Sequence, residues 1–369
     1  MDARLSAEQR AVEERFAELF NDELNPSIRR MCAREARAGT VSAEDAEARA
    51  ALWDALVDLG ALRLRLPALV VLAEQMGGAL YQSPFFDTVT ATELLAESGH
   101  PALLDAIGGA GAVAIAARDG GAADPSRPGP MHVDHARGTV TARRWFVAFA
   151  ADAGHLLLAG RPCPGSDVRL ALVPRDQPGV RLRRQDDIAR GDLYAATLDG
   201  AASAGPVWGA GGAWQAAVTR ARIRHAAYLV GLARGALALA AGRAREREQF
   251  GQPIGRFQAV GFRLAELTAR AEGARLLTHL AAWEADAGRD PRLTALQALS
   301  MAADLAREVT ATAVQVHGAV GITEESDAQL FYRRAVVDAV WLGTPGQLRD
   351  EALPLLRERT EAGGETHVS

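Results

Sequence analysis

The amino-acid sequence predicts a mostly α-helical protein with a β domain at its centre. Residues 1–112 show helical apolar spacing, residues 113–208 contain short β-rich runs between glycines and prolines, and residues 209–369 return to long helical segments. With 369 residues, of which 49% are hydrophobic and 24% charged, the chain can fill two or three packed units. We expect an N-terminal helical domain, a middle β-barrel or sandwich, and a C-terminal four-helix bundle.

Two amphipathic helices are predicted near the N-terminus. Ser6 and Gln9 form a capping-box pattern before the first apolar stripe, and Gly60 is placed to end the second helix. The stripes consist of Val12, Phe16, Leu19 and Phe20, and of Leu52, Leu56, Val57 and Leu59.

The middle and C-terminal parts differ in the period of their apolar residues. The β-rich runs are AVAIAAR, GTVTARRWFVAF, HLLLAGR, VRLALVP and GVRLRR, and turn residues between them favour a small antiparallel barrel or sandwich. The segments predicted as helices of the C-terminal bundle are 214–248, 257–287, 293–316 and 326–341.

Composition narrows the classes of function. The net charge of -5 gives no overall attraction to nucleic acid or to anionic membranes, so neither is expected as a partner. The chain contains no lysine, which excludes a lysine Schiff base. Cys32 and Cys163 are far apart, which argues against a disulfide framework or a metal site. The N-terminus has no signal-peptide core and no apolar run approaches membrane-spanning length, so we expect a cytoplasmic protein.

Three local motifs carry residue types suited to a bound dinucleotide. Arg247-Glu-Gln-Phe250-Gly251 continues to Gln258, Gln315-Val-His-Gly318 continues to Gly321, and Thr141-Ala-Arg-Arg-Trp145-Phe-Val147 is a β-rich run. Arginine binds phosphate through a planar fork, and glutamine both donates and accepts hydrogen bonds. Glycine lets backbone N–H groups approach an anion at a helix N-terminus, and tryptophan can cover one face of a flat ring.

Each motif also has a simpler interpretation. A lone Gly-containing turn usually joins two helices, RxxFG can be a helix C-cap, and a strand tryptophan more often belongs to a core. The three motifs become informative together, because they occur in one order along one chain.

That order and those motifs resemble the acyl-CoA dehydrogenase family from about residue 70 onward. The resemblance implies FAD as cofactor, an acyl thioester of CoA or of a carrier protein as substrate, and at least a homodimer, commonly a homotetramer. In the family, the arginine and glutamine elements reach FAD that is held mainly by a neighbouring subunit. The cofactor-binding residues implied by the resemblance are Arg247, Phe250, Gln258, Gln315, Gly318, Trp145, Val147 and Thr344.

The chain departs from the family at the catalytic base. Family members carry a glutamate just before a Gly-Thr pair, whereas this chain has Leu342 before Gly343 and Thr344. Some relatives place the glutamate on the long helix before RxxFG, where this chain has Ala221. The alternative bases are Asp338, four residues before Leu342 on one helical face, and His225, four residues after Ala221. Both residue types more often have a structural role, so the catalytic residue stays unassigned.

Other departures lie around the expected cofactor and substrate. The family's Thr-Glu-Pro-x-x-Gly-Ser-Asp turn is replaced by residues 118–124, and Val147 replaces a threonine that hydrogen-bonds the flavin. Residues 62–67 run into the next helix without the family's glycine-rich loop. Arg220, Arg222 and Arg224 alternate along one helix and cannot all face a core, so we expect at least one to pair with carboxylates or a phosphate.

Three functions are therefore compatible with the sequence. The first is an FAD-dependent oxidoreductase that desaturates an acyl thioester or performs a variant of that reaction. The second is an enzyme on the same fold that catalyses isomerisation, cyclisation or dehydration without redox chemistry. The third is a non-catalytic subunit that lends residues to a flavin in a heteromer with a homologue.

Overall fold

The computed structural model describes residues 4–20, 31–35, 38, 42–120, 126–189 and 191–364. The chain forms two compact units. The first, called here the helical unit, comprises Met1–Tyr81 and Arg222–Ser369, and the second, called the β unit, comprises Gln82–Ala221.

The regular elements follow the predicted order of helices, strands and helices. The α-helices are α1 (Ala7–Phe20), α2 (Ala43–Asp58), α3 (Leu66–Gly78), α4 (Phe85–Glu97), α5 (Pro101–Ala110), α6 (Ala213–Glu246), α7 (Gln258–Asp286), α8 (Arg292–His317), α9 (Asp327–Asp338) and α10 (Pro345–Gly364). The strands are β1 (Val113–Ala116), β2 (His132–Asp134), β3 (Thr139–Ala148), β4 (His155–Gly160), β5 (Arg169–Pro174), β6 (Val180–Gln185), β7 (Leu193–Ala202), β8 (Trp208–Gly209), β9 (Glu248–Gln249) and β10 (Gln252–Pro253).

The capping box at the start of α1 is present as predicted. The backbone N–H of Ser6 donates to Gln9 Oε1 at 2.9 Å, and the N–H of Gln9 donates to Ser6 Oγ at 3.2 Å. Val12, Phe16 and Phe20 are buried, which is the stripe expected of an amphipathic helix. In α2 the corresponding buried residues are Leu52 and Leu56, whereas Val57 is exposed, and Gly60 lies beyond the helix at a φ of 76°.

Glycines allow the backbones of α3 and α6 to approach each other closely. A Cβ atom on Gly77 would lie 2.0 Å from the carbonyl oxygen of Tyr228, and one on Gly231 would lie 1.9 Å from that of Glu74. Neither distance is possible for a real side chain, so only glycine permits this crossing.

A buried carboxylate beside this crossing connects four helices of the helical unit. Glu74 of α3 accepts from Arg234 of α6 at 3.2 Å and contacts His279 Nε2 of α7 at 2.8 Å. Gln9 of α1 lies 3.2 Å from His279 Nδ1 and also donates to the Pro67 carbonyl. Because Gln9 Oε1 already accepts from Ser6, its NH₂ group faces the imidazole, so Nδ1 accepts and Nε2–H donates to Glu74.

The β unit contains two four-stranded sheets packed as a sandwich. One sheet has the strand order β1-β4-β5-β8 and the other β2-β3-β7-β6. Their facing sides share one apolar cluster, which includes Leu156, Leu158, Val140 and Leu198. The opposite side of the first sheet packs against α4, α5 and Trp214 of α6. The sheet order is antiparallel throughout except for β1 and β4, which pair in parallel.

A fully buried arginine connects the two sheets of this sandwich. Arg144 of β3 points inward and donates to the carbonyl oxygens of Gly129, Pro130, Arg143 and Ala159 at 2.8 to 3.2 Å. Burial, opposed in part by the charge of Asp119, lowers the pKa of Arg144 to about 10. Five hydrogen bonds to carbonyl oxygens therefore compensate for removing a guanidinium from water.

The structure confirms the predicted fold class and corrects three details of it. β1 and β4 are parallel, where an antiparallel sandwich was expected. Asp338 ends α9, so Leu342 lies in the following turn and not one helical turn away on the same face. The sequence was expected to contain no apolar run of membrane-spanning length, but α6 is long and apolar enough to cross a membrane. In its most apolar stretch of 18 residues, 67% is buried, as in the core helix of a globular domain. The predicted three-domain boundaries stay a prediction. In the structure, α4 and α5 belong to the same compact unit as the strands β1 to β8.

We expect Gly231→Ala to destabilise the protein by at least about 3 kcal/mol, because the added methyl group forces α3 and α6 apart. Gly242→Ala on the same helix is the matched control, since a Cβ atom there meets open space and should stabilise by about 0.5 to 1 kcal/mol. Urea unfolding of both variants measures the difference. Equal stability of the two variants would show that the crossing is not as tight as described.

We also expect stability to fall with pH through the titration of His155. Burial lowers the pKa of His155 below its ordinary value of 6.5, and Nδ1 has no hydrogen-bond partner. Between the two pKa values the unfolded chain binds a proton that the folded chain does not, so the unfolding free energy decreases as pH falls below about 6.5. His155→Leu should reduce that slope in urea titrations from pH 7 to 5. His135→Gln, on an exposed turn, is the control, and equal slopes in all three proteins would contradict the assignment.

Candidate functional site

The position of the family's glutamate lies in a turn between α9 and α10. Leu342 is half-buried there, and Gly343 follows at a φ of 118°. Thr344, a predicted cofactor ligand, caps α10: its N–H donates to Gln347 Oε1 at 2.9 Å, and its hydroxyl accepts from the N–H of Gln347 at 3.2 Å. The turn is therefore fixed on its C-terminal side by a second capping box.

A buried guanidinium fixes the same turn from α6. Arg222 is 2% exposed, and its Nε–H donates to the carbonyl oxygen of Leu342 at 3.2 Å. Its two Nη atoms each donate to one oxygen of Glu351 in α10, both at 2.9 Å. This fork to a carboxylate is the strongest ion-pair geometry that arginine makes. Sequence analysis singled out Arg222 for its spacing but not Glu351 as its partner.

The two alternative bases meet at the end of α9. His225 Nε2 lies 2.7 Å from the backbone carbonyl oxygen of Asp338, and its ring stacks on Tyr228 with 6.2 Å between centroids. Since a carbonyl only accepts, Nε2 carries the proton and Nδ1 carries the lone pair. The Asp338 side chain is buried, with Oδ1 3.7 Å from Arg334 one turn earlier. Both residues thus have structural contacts beside Leu342.

The other two arginines of the alternating series have different surroundings. Arg224 is fully buried. Arg220, in the part of α6 that belongs to the β unit, pairs with Glu93 at 3.0 Å and Glu97 at 2.7 Å on α4. The expectation that at least one member of the series pairs with carboxylates is confirmed.

The Arg247 motif forms a tight hairpin at the end of α6. β9 and β10 pair through the two-residue turn Phe250-Gly251, and both turn residues have positive φ, 53° and 78°. Phe250 is 94% exposed, and Arg247 also faces solvent. Because a bulky residue rarely adopts this backbone conformation, the hairpin holds Phe250 outward at a cost of about 1 to 3 kcal/mol.

The Gln315 motif lies at one end of the antiparallel helix pair α7 and α8, the end where α7 begins and α8 stops. α7 and α8 are joined by residues 287–291, and Arg270 of α7 pairs with Glu308 of α8 at 2.6 Å. Gln258 begins α7 and Gln315 precedes the end of α8, so the two exposed glutamines occupy one end of the pair. Gly318 follows at a φ of 69°. Gly321 is required there because a Cβ atom would lie 2.5 Å from the Val314 carbonyl oxygen.

The remaining predicted residues lie on β3 in the β unit. Trp145 is half-buried, and the Arg183 guanidinium lies 5.8 Å from the centre of its ring. Val147 is 1% exposed and packs into the core between the sheets, and its role at a cofactor stays a prediction. Of the turn at 118–124, residues 121–124 lie outside the described residues. Among the described residues, no group of three or more His, Cys, Asp or Glu side chains could hold a metal ion.

Comparison with known proteins finds similarity in the C-terminal part of the chain. Residues 210–351 match the family model "Acyl-CoA dehydrogenase, C-terminal domain". The probable acyl-CoA dehydrogenase FadE25 of Mycobacterium tuberculosis is 41% identical over 120 residues, which is 32% of this chain. The matched part spans 31% of that relative's length.

Similar solved structures extend over nearly the whole chain. Butyryl-CoA dehydrogenase from Megasphaera elsdenii superposes with a TM-score of 0.81 at 20% identity, covering 96% of this chain and 100% of that one. The ChsE4–ChsE5 complex from Mycobacterium tuberculosis gives 0.80 at 24% identity, covering 96% and 99%. PigA, solved with FAD and proline, gives 0.79 at 19% identity, covering 97% and 100%. At these identities the likeness establishes the fold.

Proposed function

Because residues 210–351 form an acyl-CoA dehydrogenase C-terminal domain and the chain has the acyl-CoA dehydrogenase fold, we propose that the protein is an FAD-dependent oxidoreductase acting on an acyl thioester. The observation that carries this proposal is the exposed Arg247 hairpin within the matched region. It presents an exposed guanidinium and an aromatic ring that is 94% exposed, although the edge of this ring contacts Phe257 at 6.2 Å between centroids.

The exposed donors of the helical unit have the chemistry that FAD requires. Arg247 can bind a pyrophosphate, and Gln258 and Gln315 can each donate to and accept from a ribityl chain or an adenine. The open positive-φ glycine at 318 leaves the backbone accessible at the end of α8. Trp145 offers a half-buried ring edge in the β unit. When bound, the flavin would accept the hydride from the β-carbon of the substrate.

The display of Phe250 supports a homo-oligomer. Phe250 has a left-handed backbone conformation, which is strained, and its ring is almost fully exposed to solvent, so its apolar surface is not buried. Both costs are offset when the ring packs against a neighbouring subunit or its flavin. We infer at least a homodimer, with Arg247 and Phe250 reaching a cofactor held mainly by the partner.

The leucine at position 342 limits the reaction that this site can catalyse. A leucine side chain cannot accept the α-proton. The backbone carbonyl oxygen of Leu342 already accepts a hydrogen bond from Arg222. His225 contacts the end of α9 through Nε2, and the Asp338 carboxylate lies beside Arg334, so these two residues next to Leu342 stay the candidate bases. We infer a slow or altered variant of α,β-desaturation.

The same substitution supports two further candidate functions. An isomerase, cyclase or dehydratase on this fold requires no carboxylate at position 342, and a non-catalytic subunit of a heteromer requires no base at all. PigA and the ChsE4–ChsE5 complex are structural neighbours that bear on cofactor and assembly, one solved with FAD and the other as a complex of two named chains.

The protein's colour after purification separates the three candidate functions. Flavin absorption in the protein expressed alone supports the oxidoreductase, and colour only on co-expression with a homologue supports the heteromer. A colourless protein that turns over a thioester supports the non-redox enzyme.

We expect FAD to bind the purified protein and Arg247→Gln to weaken that binding about tenfold, because one charge-assisted fork to phosphate is lost. Titration of the apoprotein with FAD, followed by flavin fluorescence, gives both dissociation constants. Arg245→Gln is the matched control, since Arg245 is exposed two residues earlier at the end of α6. Unchanged affinity in Arg247→Gln, or an equal loss in the control, would remove Arg247 from the cofactor site.

We expect Leu342→Glu to increase α,β-desaturation of a short acyl-CoA at least tenfold, because it restores a carboxylate where the family carries one. Anaerobic bleaching of bound flavin by butyryl-CoA measures the rate. Leu342→Gln has a similar size and no base, and is the control. The rates of the single variants Asp338→Asn and His225→Gln are compared with the rate of the unaltered protein. If neither variant has a lower rate, both residues are excluded as bases.

A further inference from the structure

A second ligand site is suggested by the outer face of the sheet β2-β3-β7-β6. This face carries a cavity of about 570 Å³, within the size range of small-molecule sites. Its polar lining consists of His132, Thr141, Arg143, Arg181, Thr197 and Asp199. The cavity lies entirely within the β unit and includes none of the residues predicted to bind the flavin.

Strand register places two of these arginines on either side of a threonine. Arg143 of β3 is paired with Thr197 of β7, and Thr197 is paired with Arg181 of β6. Neighbouring strands lie about 4.8 Å apart, so the two arginine Cα atoms are separated by roughly 10 Å across the row. Side chains in one cross-strand row project from the same face. Two long guanidinium side chains can therefore converge above the short hydroxyl of Thr197.

The charges around this row favour an anion. Arg143 and Arg181 are both exposed and positively charged. Asp199 is the acidic residue of the lining, and its contact with Arg181 is loose, 3.8 Å with both side chains about two-thirds exposed. Such an exposed pair contributes little, so Arg181 can exchange Asp199 for a stronger ligand. Thr141 Oγ1 accepts from the N–H of Gly200 at 3.0 Å, which fixes the adjacent turn at the rim.

We propose that this cavity binds a phosphorylated small molecule. Two arginine forks and the Thr197 hydroxyl provide planar, charge-assisted donors for phosphate oxygens. The volume exceeds that of a phosphate ion, and the apolar side chains of Pro130, Met131 and Pro162 line the remaining space. The phosphate is held by the Arg143–Thr197–Arg181 row, and the rest of the molecule contacts that apolar edge.

The test is isothermal titration of the purified full-length protein with pyrophosphate and, separately, with glucose 6-phosphate and glucose. We expect both phosphate compounds to bind and glucose not to bind. Arg143→Gln and Arg181→Gln should each weaken binding about tenfold, and the double variant should abolish it. Because both side chains are exposed, thermal unfolding midpoints of these variants should match that of the unaltered protein.

Two controls separate this site from other basic surfaces. Arg137→Gln removes an exposed arginine from the β2–β3 turn outside the cavity and should not change binding. Every titration is also run in the Arg247→Gln background, which removes the arginine assigned to the flavin pyrophosphate, so that phosphate bound there is not counted. The proposal is overturned if no phosphate compound binds in that background, if the double variant binds as tightly there, or if Arg137→Gln weakens binding equally. Failure of the flavin assignment leaves these outcomes unaffected.

Discussion

The helical unit depends on the close crossing of α3 and α6. Gly77 and Gly231 bring the two backbones to a distance at which any Cβ atom would overlap a carbonyl oxygen. Helix α6 carries Arg222 and His225 in its middle and continues to the Arg247 hairpin at its end. Its position therefore determines where the base position and the predicted cofactor donors lie. Glu74, beside the crossing, adds hydrogen bonds to α6 and α7 that fix the rotation of these helices about their axes.

Much of this arrangement could be predicted because local sequence and tertiary packing agree. The bundle helices were predicted at 214–248 and 257–287 and occur at Ala213–Glu246 and Gln258–Asp286, since long apolar periodicity dominates there. β7 was missed, although it pairs with both β3 and β6. Its sequence, LYAATLDGAA, is rich in alanine and contains glycine, and both residues have low strand propensity. That strand is specified by its two neighbours and not by its own residues.

The candidate site was predictable in its motifs but not in its contacts. The Arg247 and Gln315 segments were recognisable because glycine and arginine have restricted roles in such turns. The Arg222–Glu351 pair was not, because its partners are 129 residues apart and exposed glutamates are common on helices. The signal in the sequence was the spacing of Arg220, Arg222 and Arg224, which indicates that some arginine of this series is buried and needs a partner. The end of α9 at Asp338 was also missed, since the apolar pattern continues to residue 341.

The site combines a well-supported turn with a side chain that cannot carry the family's proton transfer. Arg222, itself held by Glu351, donates to the Leu342 carbonyl, His225 donates to the end of α9, and Thr344 caps α10. The backbone around Leu342 is therefore held from three sides. Removing one partner of these contacts would leave a buried polar group unsatisfied, at a cost of about 1 to 3 kcal/mol. The contacts therefore fix the geometry of this turn. Within this turn, the departure that the sequence resemblance brings out is the side chain of Leu342, whereas the backbone that carries it is held in place by its neighbours.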